Sequence, residues 1–166
     1  MKIGVVSDTH MPHSGQRLPK ALVAGLQGVD LILHAGDWTA PYVAELLEQI
    51  APVDGVTGNN DGPDIYRQFG KRKLLTLGGI RIGIVHGDGF RGTTEERALA
   101  AFAKDTADVV IFGHSHIPYK QVSDGILLFN PGSPTDKRWQ KQFSYGILEI
   151  GSNGTEATHY FYNDKS

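Results

Sequence analysis

The sequence predicts an α/β fold in which two mixed β-sheets pack face to face and helices cover the outside. Three observations predict it. In the first half, β-rich apolar runs alternate with helical patterns, which implies βαβ units with right-handed crossovers. In the last third, strand-like runs follow one another with no helix between them, which implies antiparallel pairing. Apolar runs also stop abruptly at short clusters of Gly, Asp, Asn and His, as buried strands do when they deliver side chains to one rim of a sheet.

The elements follow in order. Lys2–Ser7 is a continuous β-rich run and reads as a buried strand. Leu18, Ala21, Leu22 and Leu26 lie at helical spacing, so a helix is expected from Leu18 to Leu26. Asp30–Leu33 is a short strand. Pro41 then stands near the start of a second helix, where a missing N–H is tolerated, with Val43, Leu46, Leu47 and Ile50 on its apolar face. Val53–Thr57 is the third strand. Lys73–Leu77 and Ile80–Val85 form a hairpin across Gly78-Gly79. Thr93 or Thr94 caps a helix reaching Lys104, with Glu95 and Glu96 in its first turn. Ala107–Phe112 is another buried strand. Lys120–Ser123 pairs with Ile126–Phe129 across Asp124-Gly125, and Ser144–Ile150 with Thr155–Tyr162 across Gly151–Gly154. No repeat, low-complexity tract or long linker divides the chain, so residues 1–166 are expected to form one domain.

Composition narrows the function classes. Net charge is −2 and charged residues make up 20% of the chain, so nothing asks for nucleic acid or an anionic membrane as a bulk partner. The absence of cysteine removes thiolate nucleophiles, disulfides and sulfur-ligated zinc, and it favours the cytoplasm. MKIGVVSDTH carries a four-residue apolar run, too short for a signal peptide or a membrane anchor.

Five polar clusters carry the chemistry: Asp8-Thr9-His10, Gly36-Asp37, Gly58-Asn59-Asn60-Asp61, His86-Gly87 and Gly113-His114-Ser115-His116. Ligands of open α/β sheets collect at the carboxyl ends of strands, and each cluster follows a strand. Asp8 and His10, like His114 and His116, are spaced i, i+2. In an extended chain such pairs face one side and can grip one ion. Carboxylates, imidazoles and a carboxamide suit one or two divalent cations. Two cations about 3.5–4 Å apart would polarise a phosphoryl group and lower the pKa of a bound water, which would attack phosphorus in line.

The ordered set DxH, GD, GN-x-D, H-G and GHSH resembles the calcineurin-like metallophosphoesterase superfamily. The short chain and the form GNND resemble its small bacterial and archaeal phosphodiesterase branch. Asn130-Pro131-Gly132-Ser133, which either positions the site or only forms a Pro-Gly turn, is a further typical segment, so the resemblance covers most of the chain. It implies a four-layer αββα sandwich and a metal-dependent phosphodiesterase with a small phosphodiester as substrate. It also implies two divalent ions, with manganese as the family's habit and Ni, Fe, Co or Zn compatible with the donor set. Asp8, His10 and His116 would hold one ion, Asn59, His86 and His114 the other, and Asp37 would bridge them.

Two departures matter. Many members read GNH, and that His is held to protonate the leaving group. Here the position is Asn60, which has no acidic proton near pH 7, leaving Asp61 or a metal-bound water as partial substitutes. General acid catalysis is worth roughly 10²–10⁴-fold, so aryl or otherwise activated diesters are expected to react better than alkyl ones. Where members read His-Gly-His, this chain has His86-Gly87-Asp88, and Asp88 is given no metal role but could contact substrate or water.

Plainer readings apply elsewhere. His34 is either a partner of the ligands or a packed residue. His13 lines the entrance or lies in an exposed loop, and His159 lies outside the site. Arg17, Lys71, Arg72, Lys73, Lys137 and Arg138 could attract phosphate, although such runs usually form solvated faces. Trp38 and Trp139 could stack on a base, but packing is the plainer expectation. Competing functions are a phosphomonoesterase or nucleotide hydrolase on the same metals, or a non-enzymatic scaffold like the metallophosphoesterase-like subunit of the retromer coat. All candidate ligands are present, which favours the enzyme. Apolar residues on the late hairpins could pair subunits into a homo-oligomer.

Overall fold

A computed structural model describes residues 1–166. Its elements are β1 (Lys2–Val6), α1 (Lys20–Gly25), β2 (Leu31–His34), α2 (Tyr42–Glu48), β3 (Val53–Gly55), α3 (Pro63–Phe69), β4 (Arg72–Leu77), β5 (Ile80–Val85), α4 (Thr94–Ala100), β6 (Val109–Ile111), β7 (Tyr119–Ser123), β8 (Ile126–Asn130), β9 (Phe143–Gly151) and β10 (Gly154–Tyr162). One sheet runs β10-β9-β1-β2-β3 and the other β4-β5-β6-β8-β7. Both are mixed. β1, β2 and β3 are parallel, with β9 and β10 antiparallel beside them. β5, β6 and β8 are parallel, flanked by antiparallel β4 and β7.

Alternation along the strands builds the layers. Ile3 and Val5 of β1 point between the sheets, where they meet Ile82, Ile84, Ile111, Phe129 and Leu148. Val6 points the other way, into a cluster with Leu22, Leu26, Val43, Leu47 and Phe69 from α1, α2 and α3. α4 covers the far face of the second sheet, where Ala98 and Phe102 pack on Val110, Phe112 and Leu128. The order is helices, sheet, sheet, helix. Gly4 is required by that packing: a Cβ there would stand 2.6 Å from Leu26 Cδ2.

Most expected elements form. Gly78-Gly79 and Asp124-Gly125 both turn with positive φ at each residue (57° and 79°, 51° and 80°), the left-handed pair that a two-residue hairpin needs. The Thr93 side chain caps α4 by accepting from Glu96 N–H at 3.2 Å. Three helical details differ. α1 starts only after Pro19 and stops at Gly25. α4 stops at Ala100, because Phe102 and Ala103 bond back three residues and tighten the chain out of the helix. The helix α3 is not anticipated at all. Pro63 in its first turn and Gly70 just past its end, at φ 74°, were the signals for it. No helix is long and apolar enough to cross a membrane.

Candidate metal centre

The polar clusters do gather beyond the carboxyl ends of β1, β2, β3, β5 and β6. The way they present their ligands differs from the extended i, i+2 arrangement. Asp8 (φ 56°), His10 (46°), Asp37 (61°), His114 (71°) and His116 (62°) all have left-handed backbones. Such residues cost of order 1–3 kcal/mol each and persist only where the surroundings force them. Here the loops force one another. Asp8 N–H donates to Gly36 O at 2.9 Å and His10 N–H to Asp37 O at 3.1 Å, tying the β1 exit to the β2 exit. Gly113 N–H donates to His86 O at 3.0 Å, and His114 N–H reaches Asp8 Oδ2 at 2.9 Å. Ser133 Oγ donates to Asp8 O at 2.8 Å and Thr135 Oγ1 to Thr9 O at 2.6 Å. The Asn130–Ser133 segment therefore positions the site rather than merely turning the chain.

The side chains converge on two carboxylate oxygens. Asp8 Oδ1 lies 3.8 Å from His10 Nε2, 3.7 Å from His86 Nε2 and 3.6 Å from His116 Nε2. Asp37 Oδ2 lies 3.3 Å from both His10 Nε2 and His86 Nε2. Close as they are, Asp8 Oδ1, His10 Nε2 and His86 Nε2 are buried with no hydrogen-bond partner. Orphaned polar atoms of this kind are costly and call for a resident group. The outer nitrogens show the orientation: His86 Nδ1 faces Ala35 O at 2.8 Å and His116 Nδ1 faces Asp136 O at 2.5 Å. A backbone carbonyl holding the proton on Nδ1 turns the Nε2 lone pair inward, as metal-ligating histidines are held. Ligand atoms of Asp8, His10 and His116 lie within 4.8 Å of one another, as do those of Asp8, Asp37 and His86. The residues fit divalent cations.

Electrostatics point the same way. Burial works against the Asp37 charge, but His10 and His86 beside it and the Asn60 N–H hold its carboxyl far below the usual range. Burial likewise opposes ionised Asp8, and His10, His86 and His116 overcome it. In return, despite burial, the two carboxylates raise His10 and His86 to about 9. The metal-free cluster thus draws positive charge to its centre, and a cation would replace protons there. His34 behaves oppositely. Burial lowers it to about 3, and its Nδ1 accepts from Gly36 N–H at 3.0 Å, so Nε2–H faces Thr9 Oγ1 at 3.1 Å. It is a neutral strut stacked 3.8 Å from Trp38.

The expected second ligand set is more open. His114 is half-buried, its ring 5.2 Å from that of His86. Asn59 is exposed, and its side chain makes no hydrogen bond to the cluster. Its neighbour grips Asp37 instead: Asn60 N–H donates to Oδ1 and Nδ2 to Oδ2, both at 2.9 Å. Asp61, named as a substitute acid, is a fastener. Oδ2 accepts from Asp37 N–H and Gly58 N–H at 2.8 Å each, and Oδ1 from Thr39 N–H at 2.7 Å. Burial raises its pKa, and those N–H groups pull it down only in part. Gly58 makes this closeness feasible, since a Cβ there would stand 2.2 Å from Asp37 Oδ1.

Outside the cluster, His13 is exposed and His159 bonds Asn130 O at 2.7 Å. Trp38 packs, with Nε1–H donating to Val56 O at 2.9 Å. Trp139 does not pack: it is 97% exposed, because its loop is tied down by Ser133 and Thr135 upstream and nothing covers the tip. Ser133, Thr135 and the carbonyls of Ala35 and Asp136 received no individual role from the sequence. The hydroxyls sit in a recognisable segment. The carbonyls carry no sequence signal, because every residue has one.

A two-sheet sandwich that gathers carboxylates and imidazoles at strand ends defines the class of metal-centred phosphoesterase folds. Residues 1–153 match the calcineurin-like phosphoesterase superfamily domain, and the chain belongs to that family. It is 39% identical to a probable metallophosphoesterase of Methanothermobacter thermautotrophicus, over 83% of this chain and 80% of that one. It is 27% identical to a phosphodiesterase of Methanocaldococcus jannaschii, over 96% of each chain. In three dimensions it resembles Vps29 of Chaetomium thermophilum with a TM-score of 0.77 at 19% identity, all of both chains being covered.

Proposed function

We propose that this protein is a metal-dependent phosphodiesterase that works with two divalent cations. The observation that carries the reading is the convergence of Asp8 Oδ1, His10 Nε2 and His86 Nε2, three buried atoms without a partner, beside Asp37 Oδ2. Asp8, His10 and His116 would hold one ion; His86, His114 and Asn59 would complete the second position, with Asp37 between. When bound, such ions supply Lewis acidity toward phosphoryl oxygens and lower the pKa of water.

The chain's own residues do the rest. Asn60 orients Asp37, Asp61 locks the loops that carry Asp37 and Asn59, and the carbonyls of Ala35 and Asp136 aim two imidazoles. In the hydrolysis a water oxygen bonds to phosphorus, the ester P–O bond breaks, and the departing oxygen takes a proton. Asn60 has no proton to give, so diesters with good leaving groups suit the site. The likeness to a curated phosphodiesterase supports diester over monoester chemistry. Hydrolysis of bis-p-nitrophenyl phosphate and p-nitrophenyl phosphate, with Mn²⁺ and with EDTA, beside Asp37→Ala, is the test. Metal-dependent diester cleavage abolished by Asp37→Ala is expected. Inactivity under every condition would favour a binding scaffold, and a monoester preference would overturn the diester assignment.

A further inference from the structure

A cavity of about 760 Å³ adjoins the open side of the centre, and Thr57, Asn59, Tyr66, Lys71, Val85 and Asp88 stand in its wall. It shares Asn59 with the proposed second ligand set, and Val85 leads directly into His86. The volume is of the size that holds a substantial organic group, well beyond a phosphate.

Its two projecting side chains are unusual for their places. α3 buries Ile65 and Phe69, and Phe69 stacks on Trp38 at 4.4 Å. Tyr66, on the same short helix, is 51% exposed and its ring holds nothing in the core. Lys71 Nζ lies 5.9 Å from the Tyr66 ring centroid and makes no hydrogen bond or ion pair. Neighbouring cations are occupied: Arg67 pairs with Asp64, Arg72 with Asp105 and Lys73 with Asp54. The helix exit is also fixed to the centre, because Thr57 N–H donates to Gly70 O at 2.6 Å one residue before Gly58. An exposed aromatic ring, an ammonium without an ion-pair partner and the Asp88 carboxylate thus stand beside the metal cluster, on a backbone tied to it through Thr57 and Gly70.

We propose that this cavity binds the organic arm of the substrate, and that the arm is a heteroaromatic ring such as a nucleobase. The ring stacks on Tyr66, Lys71 donates to its acceptor atoms, and Asp88 accepts from its amino or hydroxyl groups. This deepens the phosphodiesterase reading and rests on it for the word substrate, while the binding itself does not depend on catalysis. Among the other exposed aromatics, Phe90 does not line this cavity, and Trp139 lines a separate hollow with Pro118 and Phe161 that contains no candidate ligand, so it is the weaker platform.

Amide NMR shifts of EDTA-treated protein titrated with adenosine and with ribose give the first test. Adenosine is expected to move Tyr66, Lys71 and Thr57, and ribose is not. Base stacking is worth enough that Tyr66→Ala should weaken adenosine binding by about tenfold, with Tyr66→Phe retaining it and Trp139→Ala leaving it unchanged. In metal-loaded protein, Tyr66→Ala should raise KM for bis-p-nitrophenyl phosphate by a similar factor and leave kcat within about twofold. Equal shifts from adenosine and ribose, or shifts centred on Trp139, would overturn the proposal. So would unchanged binding and KM in Tyr66→Ala while diesters are still cleaved, which leaves the phosphodiesterase reading standing. Adenosine binding at Tyr66 in a protein that cleaves no diester would sustain the cavity and refute the phosphodiesterase reading instead.

Discussion

The two sides of the centre are built differently. On the closed side, Asp8, His10, His86 and His116 are buried: the carbonyls of Ala35 and Asp136 face the outer nitrogens of His86 and His116, His114 N–H and Ser133 Oγ donate to Asp8, and His10 N–H donates to Asp37 O. On the open side, Asn59 is exposed with its side chain unbonded, and His114 is half-buried. The closed side is held by the chain's own hydrogen bonds, whereas the open side offers donors that no other residue holds in place. The difference predicts two unequal cation affinities, with tight binding on the closed side and looser binding beside the cavity.

The largest effect should come from Asp8→Asn. The substitution keeps the shape but removes the charge that three imidazole nitrogens face within 3.8 Å. Removing an outer partner of a metal ligand costs roughly 10–100-fold in affinity or activity, and a ligand itself should cost more. Calorimetric titration with Mn²⁺ or Zn²⁺ should lose the tight step entirely. A tight step that survives would show that the closed side is not where the first ion binds.

Gly58→Ala comes next, because it strikes the join between the sides. Its methyl would stand 2.2 Å from Asp37 Oδ1 and 2.4 Å from Asp37 N, with Asp61 fastening the same backbone. Overpacking of this kind costs about 1–3 kcal/mol, so denaturant midpoints should fall and both ion-binding steps should weaken together. Loss of only one step would separate the two sides more completely than the structure implies.

Histidine titration sharpens the contrast on another axis. Burial holds His34 near 3, below the roughly 6.5 of an unfolded histidine, so its contribution to stability is complete above pH 6.5 and is lost as pH falls toward 3. The slope is about 1.4 kcal/mol per pH unit from this group. His10 and His86 are raised to about 9, so in metal-free protein their contribution is complete below pH 6.5 and is lost as pH rises through 9. Melting temperatures of EDTA-treated protein should therefore decline on both flanks, and metal loading should abolish the alkaline decline alone. An alkaline decline unchanged by metal would mean that His10 and His86 do not face the ion.

Much of this was legible in the sequence because strands announce their ends. A β-rich run that stops at Gly-Asp or His-Gly locates both a strand and what it delivers, so the two-sheet order and the gathering of Asp8, Asp37, His86 and His116 could be expected. What could not be read is three-dimensional closure. The left-handed backbones at Asp8 and His116 exist only because other loops hold them, and spacing alone suggested an extended chain. The carbonyls that aim His86 and His116 leave no trace in residue type. α3 was missed although Pro63 and Gly70 bracket it, because its seven residues bury only Ile65 and Phe69 and show little periodicity. That Asn60, beside Asn59, grips Asp37 is equally invisible: both are amides, and only the turn geometry decides which one meets Asp37.

The smallest expected effect tests that last point. Asn59→Ala removes an exposed amide that contributes nothing to the closed side, so the fold and the tight ion should be unchanged. The looser step should weaken by less than the 10–100-fold that outer partners of well-formed sites command, since the open side is not held in place beforehand. Asn60→Ala is the matched control. It deletes the Nδ2 donor to Asp37 Oδ2 but spares the backbone N–H to Oδ1, so it should disturb both steps through Asp37. If Asn59→Ala instead cost as much as Asp8→Asn, the exposed amide would have to swing inward on binding. The two sides would then be equally structured in the loaded protein, differing only before the ions arrive.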